Sequence, residues 1–185
     1  AASDVYKRQI VSSRNPQEVL DIFTILIWAK LALKDSNWNP SSTHLATIEK
    51  LAPILRSLRH SDAGLPRFHG SCGDVDGQLD QALSNAESRK ISAIEKSVGF
   101  VKLSNSRTTI IIDAAPPPMG KKAVKADAST LAFEMVSGQR RIFTSCGPGY
   151  LFGSNLSSAS RQTSSHSVVY ICLLYTSPSP RDDEL

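Results

Sequence analysis

Along this chain the spacing of apolar residues changes once, from a helical period to an alternating one. In "SRNPQEVLDIFTILIWAKLALKDS" the residues Val19, Leu20, Ile22, Phe23, Ile25, Leu26, Ile27, Trp28, Leu31 and Leu33 leave almost no polar face. That pattern predicts a helix buried among other helices. Its start is marked by Asn15 as N-cap, Pro16 at the first helical position and Glu18 where a capping-box carboxylate would stand. A second helix is expected from Ser42 or Thr43, with Leu45, Ile48, Leu51, Leu55 and Leu58 forming one stripe and Pro53 bending it. The polar stretch 35–42 joins the two as an antiparallel helical hairpin.

"RHSDAGLPRFHGSCGDVDGQLDQALSNA" follows, rich in Gly and Asp and carrying His60, His69 and Cys72. A cysteine close to a histidine suggests a nucleophile or a metal ligand, but no second pair completes a site. The stretch therefore reads as a loop whose glycines make turns and whose Phe68 packs against helices. A short helix over 78–83 and a polar linker come next. From residue 97 the pattern alternates: strands over 98–103 and 108–113 flank a turn at 104–107 and end at three prolines, which cannot continue a ladder. "STLAFEMVSGQRRIFTSCG" predicts a second hairpin turning at 137–139, and "SHSVVYI" a fifth strand. Strand-sized runs between Gly, Ser and Pro turns indicate an antiparallel β-sandwich rather than βαβ units. The expected fold class is α+β, with helices over 10–90 and a sandwich over 97–171.

Composition adds limits. The chain has 185 residues, 41% of them hydrophobic, enough for a buried core. The net charge of +4 is spread along the chain with no basic run interleaved with aromatics, so nucleic acid is not expected as a partner. Mild basicity suits a polyanion such as an acidic polysaccharide. Cys72, Cys146 and Cys172 lie far apart and support neither a disulfide framework nor a zinc ribbon. No uncharged apolar run is long enough to span a membrane. The final "DDEL" resembles a retention signal but has no signal peptide to bring it to its receptor. The opening "SDVYKRQ" and closing "CLLYTSPSPRDDEL" resemble translated sequencing-adapter read-through. Residues 1–9 and 172–185 are accordingly expected to be artefactual tails around a window of a longer protein.

The chain resembles the heparinase II/III family, especially its bacterial members. The resemblance runs in order through "SRNP", "APILRSLRHSDAGLPRFHG", "DGQLDQAL", "TIIIDAAPPP", "DASTLAFEMVSGQRRIFTSCGPG" and "RQTSSHSVV". It implies the end of an incomplete α/α toroid followed by the start of an antiparallel β-sandwich. The implied chemistry is β-elimination on uronic-acid-containing polysaccharides: one group neutralises the uronate carboxylate, a base removes the adjacent C–H proton, and an acid protonates the leaving oxygen. A periplasmic or cell-envelope location and an acidic polysaccharide partner follow from the same resemblance.

Family members with a metal site show His-x-His-Ala near a strand start, an Asp before a Gly on its partner, and a His within Thr-x-x-His. Here Lys125-Ala126-Asp127-Ala128, Ser145-Cys146-Gly147 and Thr163-Ser164-Ser165-His166 occupy those places. The resemblance thus marks His166 as the catalytic candidate, Arg161 as a candidate clamp for a uronate or sulfate, and His166 with Asp127 as what remains of a zinc site. Lys125 would repel a cation and Ser145 is a poor zinc ligand, so no cofactor is expected. Cys146 reads as a buried thiol. Neither Tyr150 nor Tyr170 matches a catalytic motif, "GPGYLFG" is too isolated to be a phosphate loop, and the general base is expected outside this window. Two functions stay open: a fragment of a polysaccharide lyase, inactive alone, or a non-catalytic carbohydrate-binding or scaffold protein on the same fold.

Overall fold

The computed structural model describes residues 13–73, 77–86 and 96–169. Helix α1 spans Pro16–Asp35. The N–H groups of its first turn have no helical acceptors. The Asn15 side-chain oxygen takes two of them, from Gln17 at 2.9 Å and Glu18 at 3.4 Å. The reciprocal half of a capping box is absent, because the Asn15 N–H donates to Ser13 Oγ instead. Helix α2, Ser42–Leu58, starts where Ser41 Oγ accepts from the His44 N–H and continues through Pro53. A short helix α3 covers Gln78–Asn85. Its Asp80 holds the Arg59 guanidinium through two 2.9 Å contacts.

The three helices bury one another's stripes. Val19, Leu20, Phe23 and Ile27 of α1 join a core with Ile48, Leu51, Leu55 and Leu58 of α2 and Leu79 and Ala82 of α3. The expectation that α1 is buried all round is corrected here: Ile25 and Trp28 are 61% and 64% exposed. The described partners of α1 lie along one side of it, so the apolar residues on its other side face outward.

Among the described residues the sheet has five antiparallel strands in chain order. They are β1 (Lys96–Ser97), β2 (Phe100–Asn105), β3 (Thr108–Asp113), β4 (Phe133–Ser137) and β5 (Arg140–Phe143). The strand expected from residue 98 begins at Phe100, because Val98 and Gly99 both have positive φ, 58° and 85°, and form a tight turn back to β1. The fifth strand expected in "SHSVVYI" is also corrected. Residues 163–165 form a 3-10 turn, and the Val168 N–H folds back onto the His166 carbonyl rather than joining a ladder. Tyr170 and Ile171 lie outside the described residues, as do both proposed tails and linker residues 87–95. A 3-10 turn at Gly149–Phe152 and helix α4, Ser154–Ala159, were not expected from the pattern.

Alternation decides what the sheet shows to the helices. Thr109, Ile111 and Asp113 of β3 and Glu134 and Val136 of β4 are buried on one face, with Thr109 opposite Val136 and Ile111 opposite Glu134. The loop over 59–73 crosses this face, and its Phe68 ring stacks on Phe100 with centroids 5.7 Å apart. Phe68 is therefore a joint between helices and sheet, beyond the helix packing expected of it. Removing it leaves a cavity that neither layer can close: Phe68→Ala should destabilise the chain by about 3–5 kcal/mol. Trp28→Ala should change stability by no more than about 0.5 kcal/mol. Denaturant midpoints at constant slope check both.

Candidate functional site

Two carboxylates stand on the buried face of the sheet, at inward positions where alternation calls for apolar side chains. Asp113 ends β3 and is fully buried. It pairs with the Arg14 guanidinium, accepts from Ser129 Oγ at 2.8 Å, and lies 3.0 Å from His69 Nε2. Burial pushes the Asp113 carboxyl up. The His69 hydrogen bond and charge, the Arg14 charge and the Ser129 hydroxyl outweigh it and hold the pKa below the ordinary value.

Arg14 precedes α1, yet its guanidinium ends among the sheet's turns. It donates to the carbonyls of Ala115 and Pro116 at 3.0 and 2.8 Å and of Gly99 at 3.2 Å, and stands 4.9 Å over the Phe100 ring. These contacts satisfy the fork that Arg14 presents and leave the buried pair with few unanswered groups. Three residues that engage Asp113 hold left-handed backbone: Arg14, His69 and Leu131, at φ 53°, 54° and 67°. The Leu131 N–H donates to the Asp113 carbonyl at 2.7 Å. Each such residue costs about 1–2 kcal/mol, which the surrounding contacts must overcome.

His69 also pairs reciprocally with Asp127. Its backbone N–H donates to Asp127 Oδ2, and its Nδ1 accepts from the Asp127 N–H at 3.2 Å. A neutral ring accepting at Nδ1 carries its proton on Nε2, the side facing Asp113. Burial raises Asp127 to a pKa of about 6, against the opposing pull of His69, the His69 and Gly70 amides and Arg161.

Glu134 organises the neighbouring half. Its Oε1 accepts from the N–H groups of Arg67 and Ser145, both at 3.0 Å. Its Oε2 lies 3.5 Å from His60 Nε2 and 3.6 Å from Arg141 Nη1. The other His60 nitrogen meets Thr109 Oγ1 at 3.0 Å. His166 stands at the edge of this group, with Nδ1 3.4 Å from Ser145 Oγ and a buried Nε2 without a hydrogen-bond partner. Burial, then the His69 charge, lowers its pKa to about 4, with Asp113 and Glu134 opposing.

The residues marked by resemblance therefore have different partners within the chain. Ser145 and His166 meet, while Asp127 is joined to His69. Lys125 places its ammonium 5.7 Å over the Tyr150 ring. Arg161 donates to the carbonyls of Ala126 and Ala123 at 2.7 and 2.9 Å, tying down the backbone beside Asp127. Cys146 is exposed, which corrects its expected burial. Cys72 is exposed as well. Among the described residues, no three His, Cys, Asp or Glu side chains are placed to hold a metal ion. With an Asp127 oxygen turned to the His69 amide, and Lys125 and Ser145 in ligand places, these residues do not fit zinc. Arg14, Asp113 and Glu134 were not singled out from sequence as site residues, and His60 and His69 were read as part of a loop. The available signal was a carboxylate at an inward position in each of two alternating strands, with two histidines in the preceding loop.

Comparison with known proteins gives this arrangement its class. Residues 89–172 match the family described as "Heparinase II/III-like, C-terminal". The chain is 30% identical over 139 residues to FtsZ-localized protein C of Caulobacter vibrioides (strain NA1000 / CB15N), covering 74% of this chain and 24% of that protein. A solved heparinase III aligns with TM-score 0.65 at 19% identity, over 85% of this chain and 28% of that one. The heparan sulfate lyase HepC from Pedobacter heparinus aligns with TM-score 0.60 at 19% identity, over 83% and 28%. Residues 89–172 thus resemble the C-terminal domain of the heparinase II/III-like family, and the fold is that of the end of an α/α toroid leading into an antiparallel β-sandwich. The chain spans about a quarter of the length of these relatives.

Two predictions follow from the geometry. Asp113→Ala strands the Arg14 charge in the interior and should cost about 3–5 kcal/mol, whereas Arg14→Met combined with Asp113→Leu should cost less than the sum of the single changes. A double-mutant cycle in denaturant measures this. The second concerns pH. Asp127 is raised from 3.8 to about 6, so its contribution is complete below pH 3.8 and lost as pH rises through 6. His166 is lowered from 6.5 to about 4, so its contribution is complete above pH 6.5 and lost as pH falls through 4. The two slopes oppose each other between pH 4 and 6. Relative to the parent chain, His166→Gln should make stability rise more on acidification across that window, and Asp127→Asn should make it fall more. Unfolding midpoints at the two ends of the window decide the signs.

Proposed function

We propose that this chain is a binding or scaffold module built on a polysaccharide-lyase fold rather than a catalytic one. The observation that carries the reading is that the polar groups where the family resemblance puts metal and substrate are engaged within the chain. Asp127 is held by the His69 amide, Arg161 by two carbonyls, and Lys125 by the Tyr150 face. A uronate arriving at these groups would have to displace internal hydrogen bonds before gaining its own. The name of the Caulobacter relative points to localisation with a partner rather than to catalysis. The ligand proposed for the module is an acidic polysaccharide, met in the periplasm or cell envelope.

A second reading, β-elimination on a uronic-acid-containing polysaccharide, is favoured by one feature. His166 keeps Nε2 without a hydrogen-bond partner, and its imidazole is neutral well below pH 7, the state a base needs. Ultraviolet absorbance of unsaturated uronate separates the two, measured on heparin, heparan sulfate and other acidic glycans with the longest gene product that contains these residues. The scaffold reading expects no product from either the parent protein or His166→Ala. Product formation that falls on the order of 10²-fold in His166→Ala, with the folded fraction unchanged, would establish the lyase.

A further inference from the structure

One guanidinium beside the candidate site is left unanswered. Arg14 is taken by Asp113, Arg59 by Asp80, Arg141 by Asp62 and Glu134, and Arg161 by two carbonyls. Arg107 and Arg140 are exposed beside the hairpin turns, where a solvated charge needs no partner. Arg67 differs from both groups: it is half-buried, and its Nε is buried without a hydrogen-bond partner. A buried donor of a charged fork is costly to leave unpaired, so it calls for a ligand that the chain itself does not provide.

The position of Arg67 is set from two sides. Its backbone N–H donates to Glu134 Oε1 at 3.0 Å, the oxygen that also accepts from the Ser145 N–H. Its side chain runs along Gly73 and Gly147, whose φ angles of 84° and 77° lie in the left-handed region that glycine enters without strain. A Cβ on Gly73 would stand 3.3 Å from Arg67 Nε, and one on Gly147 would stand 3.8 Å from its Cδ. The two glycines thus let the stem lie close against two backbones. Their neighbours Cys72 and Cys146 are exposed, so the place is open to solvent. Glu134 does not claim the guanidinium, because its Oε1 is held by the two amides and its Oε2 faces His60 and Arg141.

We propose that Arg67 is the anion-binding group of this module, its guanidinium receiving a carboxylate or sulfate of the acidic polysaccharide. The inference rests on the binding reading given above and supplies what that reading lacks, since Asp127, Lys125 and Arg161 are all engaged within the chain. A planar fork matches two oxygens of either anion. An anion that meets Arg67 gives up no internal hydrogen bond of the chain, whereas one that meets Arg161 would have to displace two carbonyls. The inference is independent of whether His166 catalyses anything.

The test is isothermal titration of the full 185-residue chain with alginate, which carries carboxylates only, with dextran sulfate, which carries sulfates only, and with neutral dextran. Binding is expected to an acidic polymer and not to dextran, and the polymer that binds identifies the anion. Arg67→Met keeps the stem and removes the fork, and should weaken binding by about ten-fold or more. Arg67→Lys restores the charge without the fork and should recover part of the loss. Arg140→Met, at an exposed cation, should change binding by less than about two-fold. Because the Arg67 guanidinium holds nothing inside the chain, the thermal midpoint of Arg67→Met should match the parent's. Unchanged affinity in Arg67→Met, or a midpoint lowered by about 5 °C or more, overturns the assignment of Arg67 and leaves the module reading in place. Equal binding to neutral dextran, or no binding to either acidic polymer, overturns both.

Discussion

A carboxylate deprived of water has to be answered on every side, and Asp113 imposes that requirement on the rest of this fold. Burying an ionised group alone is prohibitive, so partners must be brought to it from wherever the chain can supply them. Arg14 comes from the residue before the helical segment, His69 from the loop that crosses the sheet, and Ser129 from the approach to β4. Arg14 and His69 are placed at the cost of a left-handed backbone angle. The helices and sheet are thus joined by polar geometry around Asp113 and, directly beside it, by Phe68 against Phe100, the residue paired with Asp113 across the strands. The apolar joint supplies burial, and the polar joint fixes the relative placement of the two layers.

The second carboxylate repeats the arrangement with a different outcome. Glu134 gathers two backbone amides, His60 and Arg141, and lies beside the Ser145–His166 contact. His69 of the loop and His166 of the sandwich end therefore occupy one electrostatic neighbourhood. Burial is the main reason that His166 is held neutral and that Asp127 resists ionisation.

The helices were legible because their signals are local. The Asn15 and Ser41 caps and the Leu51–Leu55–Leu58 spacing act within one or two turns, and the structure follows them. The hairpins were legible for the same reason, since alternation over 108–113 and the Gly138 turn need no distant information. Sequence reading failed where the determinant was remote. Val98 holds a positive φ in a turn whose Gly99 carbonyl is reached by Arg14, 85 positions away, and nothing within "KSVGF" announces that partner. The two loop histidines looked like turn residues because their partners, Thr109, Asp113 and Asp127, lie about 40 to 60 positions away. His166 was marked by resemblance alone, whereas the strand expected to carry it was read from the run "SHSVVYI". The local Ser-rich composition agreed better with the turn that is found.

The reach of Arg14 also has a kinetic meaning. It links residues 99 apart, so the pair closes only after helices and sheet have each formed and met. Contacts of that kind are made after the main folding barrier and broken before the reverse one, so they slow departure from the native state more than they speed arrival. Exchange of the backbone amides around Asp113 with solvent would then require separation of the two layers rather than fraying of a strand end. The polar joint acts as a latch, setting how long the folded chain persists once it has formed.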